Sequence, residues 1–350
     1  MAEAIGVGLV GYGMAGRVFH APVITSVGGL RLKKVVERHA AQSRARYPWV
    51  EVVRDVDELL RDEGVGLVVV STPNASHFEL ARASLAAGKH VVVEKPFTNT
   101  SAEAGQLVEL ARARGRVLSV HHNRRWDGDF LTVKKLLGGG LLGRLVEYES
   151  RFDRFRNQPR PGAWREEEGP GGGLLYDLGP HLIDQALVLF GPPRAVTADV
   201  SIQREFARTD DNFEVALHYD GLKVTLKAGM LVRGASPRFV LRGAAGSFVK
   251  YGLDPQEEAL KRGRTPADPG WGAEPEERWG TLDAEAGGLH LKGRVETLAG
   301  RYQDYYQNIA DAINGRAELA VKPEEAKDTV RIIELAFRSS AERRTVEFST

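Results

Sequence analysis

The chain has 350 residues, a formal net charge of +1 at pH 7 and no cysteine. This composition excludes disulfides, thiolate metal sites and a cysteine nucleophile, and the near-neutral charge gives no field that attracts nucleic acid. No secretory signal pattern opens the sequence and no apolar run approaches the roughly 20 residues of a membrane span, so we expect a cytoplasmic protein without a membrane partner.

Short apolar runs alternate with longer amphipathic runs in the first third of the chain, which is typical of βαβ units around a parallel sheet. Strands are predicted at Ile5–Val10, Leu30–Val36, Val50–Val53, Gly66–Ser71, His90–Glu94 and Arg116–Val120. Helices are predicted at about Gly16–Thr25, Ala40–Tyr47, Val56–Glu63, Phe78–Ala87 and Ser101–Arg114. Fully apolar runs such as Val91–Val93 suit a sheet that is covered on both faces. We therefore predict an α/β domain over residues 1–121.

Past about residue 121 the pattern changes to strands joined by short turns, which predicts a mostly antiparallel sheet. These strands are predicted at Val146–Phe155, Ala195–Gln203, Asn212–Tyr219, Lys223–Met230 and Arg238–Arg242. A helix is predicted at about Leu175–Leu189, and two amphipathic segments, Tyr302–Ile313 and Pro323–Ser340, close the chain. The proline- and glycine-rich stretch Asp254–Glu285 is predicted to be a long surface excursion. We therefore predict a second domain over residues 122–350, an α+β domain with a large open sheet.

A glycine-rich turn follows the first predicted strand and fits the pattern G-x-G-x-x-G. Its residues are Gly11, Tyr12, Gly13, Met14, Ala15 and Gly16. In a dinucleotide-binding turn the first glycine permits the tight turn, the second lets the backbone approach a pyrophosphate, and the third lets the helix pack on the strand. The turn alone is a weak signal in a chain with 39 glycines.

An acidic residue is expected about 20 residues after such a turn, where it accepts hydrogen bonds from an adenosine ribose. Glu37 stands there, at the end of the second predicted strand, and a solvated strand-end carboxylate is the alternative interpretation. Arg38 follows it, and an arginine at this place can bind a 2′-phosphate or stack on adenine, which favours NADP. Glu37 would repel that phosphate, so the two neighbouring charges favour opposite cofactors.

Two more polar segments leave buried strands at the carboxyl edge of the predicted sheet, where ligands bind in such folds. Ser71–His77 follows the fourth strand, and helix capping by Asn74 or Ser76 is its alternative interpretation. Lys95 directly follows the fifth strand and precedes Pro96, which fixes the backbone there. A lysine so placed could donate to a substrate oxygen. Pairing with Glu94 is the alternative.

Asp177 and His181 are four residues apart, so they share one face of a helix. Pro180 is tolerated only near a helix start, which places the pair in or near the first turn. A carboxylate beside an imidazole suits a base that removes a hydroxyl proton. Half of a metal site and a purely structural pair are the alternatives. Because the other histidines show no complementary ligand spacing, we expect no metal.

The order of these motifs resembles the glucose–fructose oxidoreductase and inositol dehydrogenase (Gfo/Idh/MocA) family over nearly the whole chain. The motifs are Gly11-Tyr12-Gly13 with Gly16, Thr72-Pro73-Asn74 with His77, Glu94-Lys95-Pro96, His122-Asn123-Arg124-Arg125, and Asp177 through His181. Further strings resemble the NADP-dependent scyllo-inositol dehydrogenases of that family. They are Phe19-His20-Ala21-Pro22, Arg124-Arg125-Trp126-Asp127, Trp164-Arg165-Glu166 and the segment from Lys250 to Glu257.

The resemblance implies a Rossmann domain followed by an α+β domain whose open sheet forms a homodimer or homotetramer. It implies Lys95, Asp177 and His181 as catalytic residues, with His181 as the acid/base. Cofactor contacts are implied for the glycine turn, for Glu37 and Arg38, and for Thr72, Pro73, Asn74, His77, Glu94, Lys95 and Asn123. Since NADP-using relatives tend to carry small polar residues at the place of Glu37, the resemblance favours NADP only slightly over NAD.

We therefore interpret the chain as an NAD(P)-dependent dehydrogenase that interconverts a secondary hydroxyl and a ketone on a polyol, inositol or sugar. Hydroxyl binding is expected from Arg125, Trp164, Arg165 and Tyr176, although surface ion pairs are the alternative for Arg124 and Arg125. Two other functions remain open. One is a non-catalytic NAD(P)-binding sensor, and the other is glycoside cleavage through transient oxidation with recycled NAD.

Overall fold

The computed structural model describes residues 4–160 and 162–348. By spatial contact the chain forms two compact units. The first comprises Met1–Trp126, Pro255–Trp271 and Arg301–Lys327, and the second comprises Asp127–Asp254, Gly272–Gly300 and Asp328–Thr350. The expected domain boundary between residues 121 and 122 treats each domain as one continuous segment of the chain, and it stays a prediction.

The first unit is built on a parallel sheet of six strands in the order β3-β2-β1-β4-β5-β6. The strands are β1 (Ile5–Val10), β2 (Leu30–Val36), β3 (Glu51–Val53), β4 (Leu67–Val70), β5 (His90–Val93) and β6 (Leu118–Val120). The direction of the strand order reverses between β1 and β4, and in doubly wound sheets ligands bind at the carboxyl ends beside that reversal. The expected α/β class of this part is confirmed.

Helices connect these strands, and the sequence contains the signals that begin them. The helices whose residues lie in the first unit are α1 (Ala21–Ile24), α2 (Gln42–Arg46), α3 (Val56–Leu60), α4 (His77–Ala86) and α5 (Ser101–Ala113), with α8 (Gln256–Lys261) and α9 (Gln303–Ile313) from later in the chain. Asp55 accepts a hydrogen bond from the Asp57 amide at the start of α3, as an aspartate before a helix usually does. Thr100 and Glu103 cap the start of α5 reciprocally.

The second unit is built on a nine-stranded sheet in the order β14-β13-β12-β11-β7-β10-β9-β8-β15. Its strands are β7 (Leu145–Arg151), β8 (Ala195–Ser201), β9 (Asn212–Tyr219), β10 (Leu222–Gly229), β11 (Pro237–Gly243), β12 (Gly246–Tyr251), β13 (Gly280–Ala286), β14 (Leu289–Val295) and β15 (Val346–Glu347). Neighbouring strands are antiparallel except β7 and β10, so the expected mostly antiparallel sheet is confirmed. The remaining helices are α6 (Gly128–Gly138), α7 (Leu174–Phe190) and α10 (Pro323–Glu342).

The stretch Asp254–Glu285 differs from the expected surface excursion. It contains α8, a 3₁₀ turn and strand β13, and β13 pairs with both β12 and β14. Within the first unit the indole N–H of Trp271 donates to the buried Gln256 at 3.0 Å. Glycine and proline separate the apolar residues of this stretch, so the sequence shows no periodicity there. Within residues 4–160 and 162–348, no helix combines the length and the apolarity needed to cross a lipid bilayer.

Candidate functional site

The glycine turn begins at the end of β1, and its first and third glycines are required by the protein's own backbone. Gly11 has a φ of +96°, and a Cβ on it would lie 2.5 Å from the Ser71 carbonyl oxygen. A Cβ on Gly16 would lie 2.3 Å from the Gly11 carbonyl oxygen. Gly13 differs, because a Cβ there meets no atom of the described residues within 4 Å. The backbone at Gly13 is therefore open to a ligand, as a pyrophosphate-binding turn requires.

Alanine substitutions at Gly13 and Gly16 are expected to have separable effects. Gly13→Ala should fold as stably as the wild type and bind NAD(P) roughly 10-fold more weakly or worse, because its methyl group would occupy the approach to the pyrophosphate. Gly16→Ala should lower the free energy of unfolding by about 1–3 kcal/mol, because its methyl group meets backbone. Urea denaturation and fluorescence titration measure the two effects. Equal NAD(P) affinity of Gly13→Ala and wild type would contradict the assignment of Gly13 to a pyrophosphate-binding turn.

A cavity of about 630 Å³ lies at the carboxyl ends of β1, β2 and β4, beside the reversal in strand order. Several of the predicted cofactor residues line it, namely Gly11, Tyr12, Gly13, Glu37, Arg38, Thr72 and Pro73. Of the other turn residues, Met14 is exposed, Ala15 is half-buried and Gly16 is buried. The structure therefore brings the glycine turn, the end of β2 and the Thr72–Pro73 edge together around one cavity large enough for a nucleotide.

The carboxylate of Glu37 is buried and bound to the start of α2. It accepts hydrogen bonds from the backbone N–H groups of Gln42 at 2.8 Å and Ser43 at 2.9 Å, and from the Ser43 hydroxyl at 2.5 Å. Arg38 is exposed and lines the cavity. The sequence predicts only a ribose contact for Glu37, and that contact stays a prediction. The structure gives this carboxylate a second role, that of holding the start of α2.

Asn74 and His77 are buried and support the loop after β4. The two ring nitrogens of His77 lie 2.9 Å from the carbonyl oxygens of Pro96 and Thr72. Burial lowers the pKa of His77, although these carbonyl groups oppose the shift. His77 therefore joins the loop after β4 to the segment after β5, so the two predicted cofactor segments have a fixed geometry relative to each other.

Lys95 is half-buried and directly follows Glu94 at the carboxyl end of β5. Its backbone N–H donates to the Glu94 carboxylate at 2.9 Å, and the Lys95–Pro96 peptide bond is cis. The other oxygen of that carboxylate lies 2.9 Å from ring nitrogens of both His20 and His121. The predicted catalytic lysine therefore lies beside a buried cluster of two histidines and a carboxylate.

The histidines show no complementary ligand spacing along the sequence, so this cluster was not predicted. His20, Glu94 and His121 each offer one atom of a kind that binds metal ions, and the three atoms lie within 4.8 Å of one another. The available signals were the placement of Glu94 and His121 directly after neighbouring strands and the string Phe19-His20-Ala21-Pro22. Parallel strands bring their carboxyl ends to one edge, which is how β5 and β6 bring Glu94 and His121 together.

Asn123, Arg124 and Arg125 form a 3₁₀ turn after β6. Arg124 is buried and pairs with Glu257 at 2.5 Å. Arg125 pairs with Glu325 at 2.8 Å and donates to the Ala320 carbonyl at 2.6 Å. Both arginines thus form ion pairs, as the alternative interpretation expects, but the Arg124 pair is largely buried, whereas the Arg125 pair is exposed on the Glu325 side. The expected substrate contact of Arg125 stays a prediction.

In the second unit α7 carries Asp177 and His181. The Asp210 carboxylate accepts a hydrogen bond from the Leu175 backbone N–H at 2.7 Å at the start of the helix, and Asp177 lies in the first turn. Pro180 lies inside the helix rather than near its start, which corrects the expected placement. Because proline has no backbone N–H, Pro180 removes one helical hydrogen bond. His181 therefore lies one turn further into the helix than Asp177.

The surroundings of Asp177 and His181 combine charge with aromatic packing. Guanidinium nitrogens of Arg154 and Arg165 lie 3.6 Å and 3.3 Å from the Asp177 carboxylate. The Arg165 guanidinium also lies 4.4 Å from the centre of the Trp164 ring. His181 is buried, and its ring stacks on Phe152 at 6.5 Å between centres.

The predicted substrate residues of this unit are thus divided between two places. Trp164 and Arg165 lie beside Asp177 through the ion pair and the ring contact. Tyr176 instead stacks on Phe337 at 5.7 Å between ring centres and packs against the hydrophobic core. The structure therefore brings two of the expected substrate residues to the Asp177 carboxylate.

Comparison with known proteins gives two matching family models that together span most of the chain. The model described as "Oxidoreductase family, NAD-binding Rossmann fold" matches residues 5–122, and "Oxidoreductase family, C-terminal alpha/beta domain" matches residues 134–348. Among curated proteins, the chain is 45% identical to the uncharacterized oxidoreductase YdgJ of Escherichia coli K12, with 99% of each chain covered.

It is also 42% identical to the scyllo-inositol 2-dehydrogenase (NADP⁺) IolW of Bacillus subtilis 168, covering 98% of this chain and 96% of IolW. Among solved structures, the putative oxidoreductase YvaA of Bacillus subtilis matches with a TM-score of 0.96 and 42% identity, and 99% of each chain is covered. The similarity therefore extends over both units.

Proposed function

The chain belongs to the Gfo/Idh/MocA family of NAD(P)-dependent oxidoreductases, and from this premise we propose that it interconverts a secondary hydroxyl and a ketone on a polyol, inositol or sugar. The observation that carries the proposal is the placement of Asp177 and His181 on α7, with the Asp177 carboxylate bound to Arg165. The 42% identity to a scyllo-inositol 2-dehydrogenase supports an inositol as the substrate.

In the proposed reaction His181 removes the hydroxyl proton of the substrate, and Asp177 orients the imidazole. A bound nicotinamide cofactor would supply the acceptor for the hydride of the same carbon. The ammonium group of Lys95 stabilises the negative charge that develops on the substrate oxygen, which requires that the ammonium be held in place before the reaction. Trp164 and Arg165 bind further hydroxyl groups of the substrate.

We further propose that the chain prefers NADP over NAD. The Glu37 carboxylate is bound to two backbone N–H groups and one hydroxyl at the start of α2, so hydrogen-bond donors offset its charge. Arg38 lines the cavity, and its guanidinium suits a 2′-phosphate. The NADP dependence named for IolW supports the same preference.

Replacing Arg38 by alanine is expected to weaken NADP binding about 10- to 100-fold and to leave NAD binding nearly unchanged. A hydrogen bond to a charged group contributes about 1.5–3 kcal/mol, which corresponds to that range. Fluorescence titration of the apo-protein with each cofactor measures the two dissociation constants. Arg31→Ala serves as the control, because Arg31 is an exposed arginine of β2, the strand that precedes Arg38. An equal loss of affinity for NAD and NADP would contradict the role of Arg38.

The decisive test of the proposed function is a substrate panel with the tighter cofactor. Absorbance at 340 nm should change on addition of an inositol or sugar, with scyllo-inositol as the first compound. Cofactor binding without any turnover across the panel would instead favour the sensor. Cleavage of a glycoside without net NADH would favour transient oxidation with a recycled cofactor.

A cytoplasmic location and a homodimer or homotetramer formed through the sheet of the second unit belong to the same proposal. Light scattering of the purified chain measures the oligomeric state. A monomer at micromolar concentration would contradict the proposed assembly.

A further inference from the structure

A buried hydrogen-bonded cluster lies directly behind Lys95 in the first unit. It consists of Glu94 after β5, His121 after β6, His20 in the turn before α1, and Tyr306 in α9. The carboxylate of Glu94 accepts hydrogen bonds from His20 Nε2 and His121 Nδ1, both at 2.9 Å. All four side chains are buried. The proposed reaction assigns no role to His20, His121 or Tyr306.

The hydrogen-bond partners determine where the protons of this cluster lie. Burial raises the pKa of Tyr306 well above its usual value, so its hydroxyl keeps its proton and donates to His20 Nδ1 at 2.6 Å. Since Nδ1 of His20 accepts this hydrogen bond, Nε2 is the ring nitrogen that donates to Glu94. Burial and the neighbouring His20 lower the pKa of His121 to about 4, so a neutral His121 donates through Nδ1.

Glu94 therefore carries the negative charge of this cluster. Burial alone would raise its pKa, but the hydrogen bonds from His121 and His20 outweigh burial and hold the pKa well below its usual value. One oxygen accepts from both imidazoles, and the other accepts from the Lys95 backbone N–H at 2.9 Å. Further ionisable groups that interact by charge with members of this cluster are His77, His122 and Tyr305.

We propose that Glu94, held by His20 and His121, is a positioning residue for Lys95. The carboxylate fixes the backbone from which the lysine side chain extends, and its charge favours the ammonium form of that side chain. Because Lys95 directly follows Glu94, the length of the lysine side chain limits the distance between its ammonium group and the carboxylate. This inference deepens the proposed function, because the ammonium of Lys95 is the group that stabilises the developing alkoxide there.

The first test uses the apo-protein and needs neither cofactor nor substrate. Acetic anhydride at pH 8 acetylates free amines, and mass spectrometry of the peptide that contains Lys95 measures the rate. Glu94→Gln should increase the rate at Lys95 about 3- to 10-fold, since removal of a nearby opposite charge increases the fraction of free amine. The rates at Lys34 and Lys261 in the same protein should not change. An unchanged rate at Lys95 in a folded Glu94→Gln protein would overturn the proposal.

The matched control is Glu103→Gln. The Glu103 carboxylate also accepts from backbone N–H groups, those of Asn99 and Thr100 at 3.2 Å, in the same unit. This variant should have a lower melting temperature and acetylate Lys95 at the wild-type rate. If the acetylation rate at Lys95 rises in both variants as their melting temperatures fall, the cause is a general loss of stability, and the positioning role is overturned.

Variants of His121 keep the test informative if Glu94→Gln does not fold. Asparagine supplies an amide N–H near the place of Nδ1, whereas leucine supplies none. His121→Asn should keep the wild-type rate at Lys95, and His121→Leu should raise it about 3-fold. Equal rates in the two variants would overturn the proposal. The proposal would also be overturned if the purified protein contained a stoichiometric transition metal and removal of that metal by a chelator alone raised the acetylation rate at Lys95.

Turnover with scyllo-inositol and NADP gives the second readout. Glu94→Gln should lower kcat about 10-fold and leave the dissociation constant of NADP within about 3-fold of the wild type. If the wild type turns over no polyol, the proposed function fails while the acetylation result still stands. If the wild type turns over and Glu94→Gln keeps its kcat, the positioning role fails alone.

Discussion

Turnover is expected to fall about 10²- to 10⁴-fold when alanine replaces His181, because this is the usual contribution of a general base. The imidazole is the proposed acceptor of the hydroxyl proton, and alanine supplies no atom that could accept it. The dissociation constant of NADP should change little, since His181 lies in the second unit and the glycine turn lies in the first. Steady-state kinetics with the polyol found in the substrate panel measure kcat, and fluorescence titration measures NADP affinity.

His218→Ala is the control for the loss of an imidazole in the same unit. His218 lies on β9 and contacts the Thr197 hydroxyl at 2.8 Å on the surface, so this variant should keep the wild-type kcat. Because the His181 ring stacks on Phe152 in the interior, the melting temperature of His181→Ala must be measured beside its rate. A folded His181→Ala protein with wild-type turnover would refute the assignment.

Much of the first sheet could be predicted from the sequence because its signals are local. Apolar runs such as Val91–Val93 are completely buried in parallel strands, and both faces of those strands must be covered. The glycine turn is equally local, since a φ of +96° at Gly11 and the backbone approach at Gly16 leave room only for hydrogen atoms. Motifs of this kind require no knowledge of the rest of the chain.

The contacts of the candidate site were harder to predict because they join distant residues. His20 contacts Tyr306 across 286 positions of sequence, and no pattern near His20 indicates that partner. Glu37 is a different case, because its partners Gln42 and Ser43 are close in sequence, yet its position at a strand end predicts only a ribose contact and not the hydrogen bonds from α2. Strand β14 was missed for a different reason. Apolar and polar residues alternate along it, but almost all of its side chains are exposed and it follows shortly after the stretch that was predicted to be a surface excursion.

Arg204→Ala is expected to lower the free energy of unfolding by about 3–5 kcal/mol, because it leaves a buried carboxylate without its cation. The Arg204 and Asp211 side chains are 2% and 1% exposed, and they pair at 2.8 Å. Arg204 also pairs with Glu166 at 3.0 Å. A loss of this size is a large part of the 5–15 kcal/mol by which domains are usually stable. Urea denaturation followed by circular dichroism measures the change.

The matched control is Arg194→Ala, which breaks an exposed pair with Asp220 in the same unit. Exposed ion pairs contribute at most about 1 kcal/mol, so this variant should denature nearly as the wild type does. Arg204→Ala should in addition lower kcat, because Glu166 belongs to the turn that carries Arg165, and Arg165 binds the Asp177 carboxylate. Equal urea midpoints for the two variants would show that the buried Arg204 pair contributes no more to the free energy of unfolding than the exposed pair does. Wild-type kcat in folded Arg204→Ala would separate that pair from the proposed chemistry of Asp177.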